Sequence, residues 1–124
     1  MSDDPRHSLG ATGERLAAEH LQRRGYRILE RNYRTRWGEL DLVAFDGTTI
    51  AFCEVKSRRA GGAAGTPWEA FSASKQAQVR RIAARWLHER SDRPRAVALR
   101  FDAIGVNFDR AGRLLSLEHL EGAF

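Results

Sequence analysis

An α+β fold, with helices packed on a mixed or antiparallel sheet, follows from three features of this chain. Two segments carry apolar residues at helical spacing, five carry strand-like runs, and an Asp-Gly dipeptide joins two of those runs as a hairpin. The first helix is expected over Gly13–Arg24, with Ala17, Ala18 and Leu21 on one stripe, Thr12 as cap and Gly25 as stop. Arg27–Tyr33 and Gly38–Phe45 read as strands, Asp46-Gly47 as the turn, and Thr48–Lys56 as the returning strand. Ser57–Pro67 reads as a basic, glycine-rich loop holding Arg58 and Arg59. A second helix over Ser72–Arg90 would bury Val79, Ile82, Ala83, Trp86 and Leu87, leaving Arg80, Arg81 and Arg85 in solvent. Past Pro94, Ala96–Val106 is a strand, Asp109–Arg113 a turn and Leu114–Leu120 a last strand. The order is α-β-β-β-α-β-β. At 124 residues this is one domain, 1–124, with 1–8 as a flexible tail.

The hairpin brings acids together. A two-residue loop pairs Phe45 with Thr48 and sets Glu54 diagonal to Asp41; a four-residue loop sets Glu54 directly opposite Asp41. Either way Asp41, Glu54 and Lys56 share a face with Val43, Phe45, Ile50 and Phe52, a largely apolar surface that a helix should cover. Charges at the end of such a face are costly to desolvate unless they bind something. Glu39 adds an acid on the same side, and Glu14 falls on the apolar stripe of the first helix, where a role at the helix dipole is its alternative reading. Oxygen-only ligands suit a hard cation, Mg²⁺ or Mn²⁺. A cross-strand ion-pair cluster of Asp41, Glu54 and Lys56 is the competing interpretation.

Composition sets the class. The apolar fraction is 42% and the charged fraction 30%, as in globular proteins. A net charge of +5 with pI near 10.3 favours a polyanionic partner, most simply nucleic acid. Of 21 cationic side chains only Lys56 and Lys75 are lysines, and an ammonium can touch a reacting water where a guanidinium fork cannot. The single cysteine, Cys53, sits in an apolar run and reads as a buried thiol of a reducing compartment. His7, His20, His88 and His119 are scattered and read as surface or packing residues. No signal-peptide core or membrane-spanning stretch is apparent, so a cytoplasmic protein with no membrane partner is expected.

At these residues the chain resembles the PD-(D/E)xK nuclease superfamily, and more closely the YraN family of small bacterial proteins. The resemblance runs through Gly13-Glu14 with Ala17, Gly25-Tyr26, Asn32, Gly38-Glu39-Leu40-Asp41-Leu42-Val43-Ala44 and Phe52-Cys53-Glu54-Val55-Lys56-Ser57-Arg58. It continues at Lys75, Arg100-Phe101-Asp102 and Ala123-Phe124. It implies a restriction-endonuclease-like fold, a mixed central sheet of about five strands flanked by helices. It also implies a metal-dependent endonuclease acting on DNA, with branched or structured DNA among its substrates. Asp41, Glu54, the main-chain carbonyl of Val55 and Glu14 would then hold Mg²⁺ or Mn²⁺, and Lys56 would orient the attacking water. Arg58, Arg59 and Lys75 would meet the phosphate backbone. The alternatives are a non-catalytic nucleic-acid-binding adaptor that keeps the fold, and an interaction protein whose charged cluster is an ion pair. Strand Leu114–Leu120 offers an edge for a homodimer.

Overall fold

A computed structural model describes residues 5–60 and 72–124. Seven elements follow in the order α1 (Pro5–Arg23), β1 (Arg27–Thr35), β2 (Gly38–Phe45), β3 (Thr49–Arg59), α2 (Ala73–Glu89), β4 (Ala98–Phe108) and β5 (Leu114–Leu120). The strands form one sheet in the order β1-β2-β3-β4-β5. β3 and β4 run parallel and every other neighbouring pair antiparallel, which gives the mixed sheet of a restriction-endonuclease-like fold. Among the described residues no helix is long and apolar enough to cross a membrane.

Alternation along the strands divides the core between two helices. Leu42, Ala44, Ala51, Cys53, Ile104 and Val106 pack against Ala17, Ala18 and Leu21 of α1. Val43, Ile50 and Phe52 pack against Val79, Ile82, Ala83 and Trp86 of α2, the stripe expected from periodicity. Cys53 is fully buried, and burial pushes its thiol well up, so it is inert packing. Trp86 satisfies its indole N–H by donating to Glu30 Oε1 at 3.0 Å. The C-terminus is tied down: Ala123 N–H donates to Phe101 O at 2.7 Å, and Phe124 lies 5.4 Å from the Phe101 ring.

Two local expectations are corrected, and the structure decides between the two hairpin loops left open. α1 begins at Pro5 rather than Gly13, so it takes in half of the supposed tail; residues 1–4 lie outside those described. Pro suits the first helical turn, and Leu9, one turn before Gly13, extends the buried stripe backward. Gly13 is there for contact: a Cβ on it would lie 1.8 Å from Ser57 Oγ and 3.1 Å from Ser57 Cβ, so any larger residue would require Ser57 or α1 to shift. The hairpin has the longer loop, since Phe45 pairs with Ile50 and Leu42 with Cys53. Its reason is Asp46, whose Oδ1 accepts from the N–H groups of Thr48 at 2.9 Å and Thr49 at 2.8 Å, replacing a two-residue turn by a side-chain-capped one. Arg58 and Arg59 are the last residues of β3, paired with Asn107 and Phe108, rather than part of a loop. The rest of the glycine-rich segment, 61–67, lies outside the described residues.

A polar network lies buried at the β4–β5 end. Asp102 is fully buried, and its carboxylate accepts from Arg100 Nε and NH2 at 2.8 Å each, from His119 Nε2 at 2.8 Å and from the Gly122 N–H at 3.0 Å. An ionised carboxylate only accepts, so His119 carries its proton on Nε2 and its Nδ1 accepts from His20 Nε2 at 3.2 Å. Two of the four histidines that looked scattered, His20 and His119, thus form one packing chain.

Candidate functional site

The site lies in a fork. β2 and β3 are paired from Phe45–Ile50 as far as Leu42–Cys53 and then part, while β3 stays paired with β4 to its end. At the parting, the Val55 N–H finds a side chain in place of a backbone carbonyl and donates to Asp41 Oδ2 at 2.7 Å. Glu14 enters from α1, carried in by the close contact of Gly13 with Ser57. On β1, Asn32 adopts φ 53°, a left-handed conformation that Asn tolerates better than most residues. With its amide nitrogen turned toward the acids, Asn32 donates to Glu14 Oε2 and Glu39 Oε1, both at 2.7 Å.

Glu14, Glu39 and Asp41 each bring a carboxylate oxygen within 4.8 Å of the other two. Glu54 stands beside them with its side chain only 4% exposed; its Oε2 is 3.4 Å from Lys75 Nζ on α2. Its Oε1 is buried with no hydrogen-bond partner among the described residues. Lys56 favours the charged forms of both Asp41 and Glu54.

Such crowding resists ionisation. Burial, reinforced by Asp41 and Glu39, pushes Glu14 up to about 7 from its ordinary 4.5. Burial and the charge of Glu54 push Asp41 up to about 7 from 3.8, against the pull of the Val55 hydrogen bond. Glu54 is raised chiefly by burial, which Lys75 and Lys56 offset. Carboxylates this close either share protons or share a cation. The donor set is all oxygen, several acids converge, and one buried oxygen is left without a partner, so the residues present fit a hard divalent ion.

Of the residues singled out from sequence, Glu14 and Asp41 meet directly, and Glu54 and Lys56 flank Asp41 from β3. Val55, expected to offer its carbonyl, meets Asp41 through its N–H. Lys75, expected on the phosphate backbone, is ion-paired with Glu54. Arg58 and Arg59 lie further along β3. Sequence reasoning set Glu39 on the same side as Asp41 but gave it no place among the metal ligands. Asn32 was marked only by the family resemblance, with no role assigned; that role depends on a backbone angle.

The comparisons with known proteins give the family. Residues 13–106 match the uncharacterised protein family UPF0102. A UPF0102 protein of Frankia alni is 46% identical over 124 residues, covering 100% of both chains. One from Geobacter metallireducens is 44% identical over 117 residues, 94% of this chain and 92% of the relative, and one from Pelotomaculum thermopropionicum is 43% identical over 121 residues, 98% of each. The chain belongs to the UPF0102 family, the YraN family whose motifs its sequence carries.

Proposed function

We propose that this protein is a metal-dependent endonuclease that hydrolyses phosphodiester bonds in DNA, branched or structured DNA included. The observation that carries the reading is the fork itself, where half-buried acids from α1 and β2 and a buried one from β3 converge beside a lysine in a strongly basic domain. Glu14, Asp41 and Glu54 would hold Mg²⁺ or Mn²⁺, with Glu39 and Asn32 orienting Glu14. Bound there, the ion would lower the pKa of its water and screen the phosphate. Lys56 presents an ammonium beside Asp41 and Glu54, where it can orient the attacking water or stabilise charge developing on phosphoryl oxygens. Glu54 is paired with Lys75 through one oxygen, and its second oxygen, buried without a partner among the described residues, is available to an ion.

The test is nicking of a labelled four-way junction, a flap, a single strand and a duplex with Mg²⁺, Mn²⁺ or EDTA, beside Asp41→Asn and Lys56→Ala. Cleavage that needs metal and is lost in both variants supports the reading. Turnover unchanged in Asp41→Asn sinks it. A second reading, a nucleic-acid-binding adaptor, draws on the Lys75–Glu54 ion pair, which already neutralises one acid of the set. It predicts binding to DNA with no metal-dependent turnover. A homodimer is also proposed, through edge strand β5, where Leu114, Leu115 and Leu120 are 48%, 62% and 46% exposed. Sedimentation equilibrium checks it.

A further inference from the structure

The turn between β1 and β2 carries a feature that the carboxylate site does not use. Trp37 is flanked by two guanidiniums, Arg36 at 4.8 Å and Arg81 of α2 at 5.8 Å from its ring centroid. The platform is pinned from three sides. Thr35 Oγ1 donates to Gly38 O at 3.1 Å and accepts from the Trp37 N–H at 3.1 Å, while the Gln78 side chain donates to Trp37 O. Gly38, at φ 132°, has no room for a Cβ against Gln78, so the turn is seated tightly on α2. Beside it opens a groove of about 380 Å³ lined by Arg34, Thr35, Arg36, Trp37, Arg85 and Glu89.

The four arginines differ in how they are engaged. Arg34 is paired with Glu39 at 3.3 Å and Arg85 with Glu89 at 2.5 Å. Arg36 and Arg81 are exposed, and among the described residues neither has a carboxylate partner. An arginine lying against an indole uses its flat face for the ring and leaves its edge N–H groups open, the geometry that accepts phosphate through two parallel hydrogen bonds. Holding the fork in place against Trp37 also lowers the entropy lost on binding.

Position gives the patch a partner. Arg34 links the turn to the carboxylate cluster through Glu39, and Trp37 precedes Asp41 by four strand residues, roughly 13 Å at about 3.3 Å each. On α2, Lys75, Gln78, Arg81 and Arg85 follow one side of the helix at spacings of three and four, leading from Glu54 to the turn. We propose that Arg36 and Arg81, set around Trp37, clamp the phosphodiester backbone of a nucleic acid a few phosphates away from the fork. The clamp rests on the nuclease reading for the direction in which the strand runs, and on its own geometry for binding.

The test is equilibrium binding of a fluorescent DNA duplex, and of an RNA duplex of equal length, across a salt series in EDTA, where no cleavage intervenes. Arg36→Ala/Arg81→Ala is compared with Arg95→Ala/Arg110→Ala, which removes the same charge from exposed sites elsewhere. Loss of two phosphate contacts is expected to lower the salt slope by about 1.8 and the affinity by roughly tenfold or more, with the control pair close to wild type. Arg36→Lys/Arg81→Lys should keep the slope and still lose affinity, because lysine has no fork. Equal losses in the two alanine pairs, full affinity in the lysine pair, or no binding of either duplex by the wild type would each overturn the clamp. The two proposals fail separately. Cleavage abolished by Asp41→Asn with binding insensitive to Arg36 and Arg81 removes the clamp alone. Binding that depends on those arginines without metal-dependent cleavage removes the nuclease alone.

Discussion

Two buried acidic centres lie in this small sheet, and they are built in opposite ways. Asp102 is fully buried, and both of its oxygens are occupied by donors. Burial alone would raise its pKa, yet the hydrogen bonds of Arg100, His119 and the Gly122 N–H outweigh it and hold the carboxyl at about 2. In the fork the acids meet one another, two of them are pushed up to about 7, and Glu54 keeps an unpartnered oxygen. A charge that is fully satisfied serves the fold, whereas a charge left unsatisfied is kept at the expense of stability for something that binds.

The sharpest break of that contrast is deletion at each centre. Asp102→Ala strands Arg100 and His119 and should cost about 3–5 kcal/mol in urea unfolding. Asp41→Asn, measured in EDTA, should change stability by less than about 1 kcal/mol or increase it, because it relieves crowding. A large loss in Asp41→Asn would mean that the fork, too, is structural. Next in size is ligand linkage: Mn²⁺ at about a hundred times its Kd should stabilise the wild type by about 2.7 kcal/mol. Asp41→Asn should show little of this gain, and thermal unfolding with and without EDTA reads it. Gly13→Ala sharpens the contrast from the packing side. Its Cβ would displace Ser57 and shift α1, costing about 1–3 kcal/mol and moving Glu14 away from Asp41, so stability and Mn²⁺ affinity should fall together.

Under a change of pH the two centres have opposite signs. Glu14 and Asp41 ionise near 7 in the fold but at their ordinary 4.5 and 3.8 in the unfolded chain, so the folded protein holds more protons between those limits. Metal-free stability should therefore rise as pH falls from about 8 toward 5. Asp102, held low, stabilises fully above its ordinary 3.8 and loses that contribution only as pH falls toward 2. His20, whose imidazole burial and His119 push below 6.5, takes some stability back as pH falls below that value. Urea midpoints from pH 5 to 8 in EDTA check the sign; a midpoint that climbs with pH throughout contradicts it.

The centres also differed in how far the sequence announced them. Period-two alternation was enough to bound β2 and β5, and to place Asp41 and Glu54 on one face for either even loop length. The apolar stripe of α2 was legible from its helical spacing. What escaped was long-range or angular. Gly10 and Gly13 argue against a helix by propensity, and only the approach of Ser57 explains the second of them. The loop length turned on which groups the Asp46 carboxylate would cap. Asn32 needed its φ, and Lys75 needed a partner 21 positions earlier in the chain. Arg100, Asp102 and His119 were visible as letters, but nothing in their spacing said that one carboxylate would gather donors from β4, β5 and the residues beyond.

The hydrogen bond from Val55 to Asp41 gives the fork a spectroscopic handle. Most strand amides report on the sheet, since their acceptors are carbonyls that never titrate; this amide has an acceptor that does. The Val55 ¹⁵N–¹H resonance should move as Asp41 gains or loses its proton, and its solvent exchange should slow when that carboxylate is held charged. One backbone signal, recorded without substrate, would thus follow the occupancy of the site.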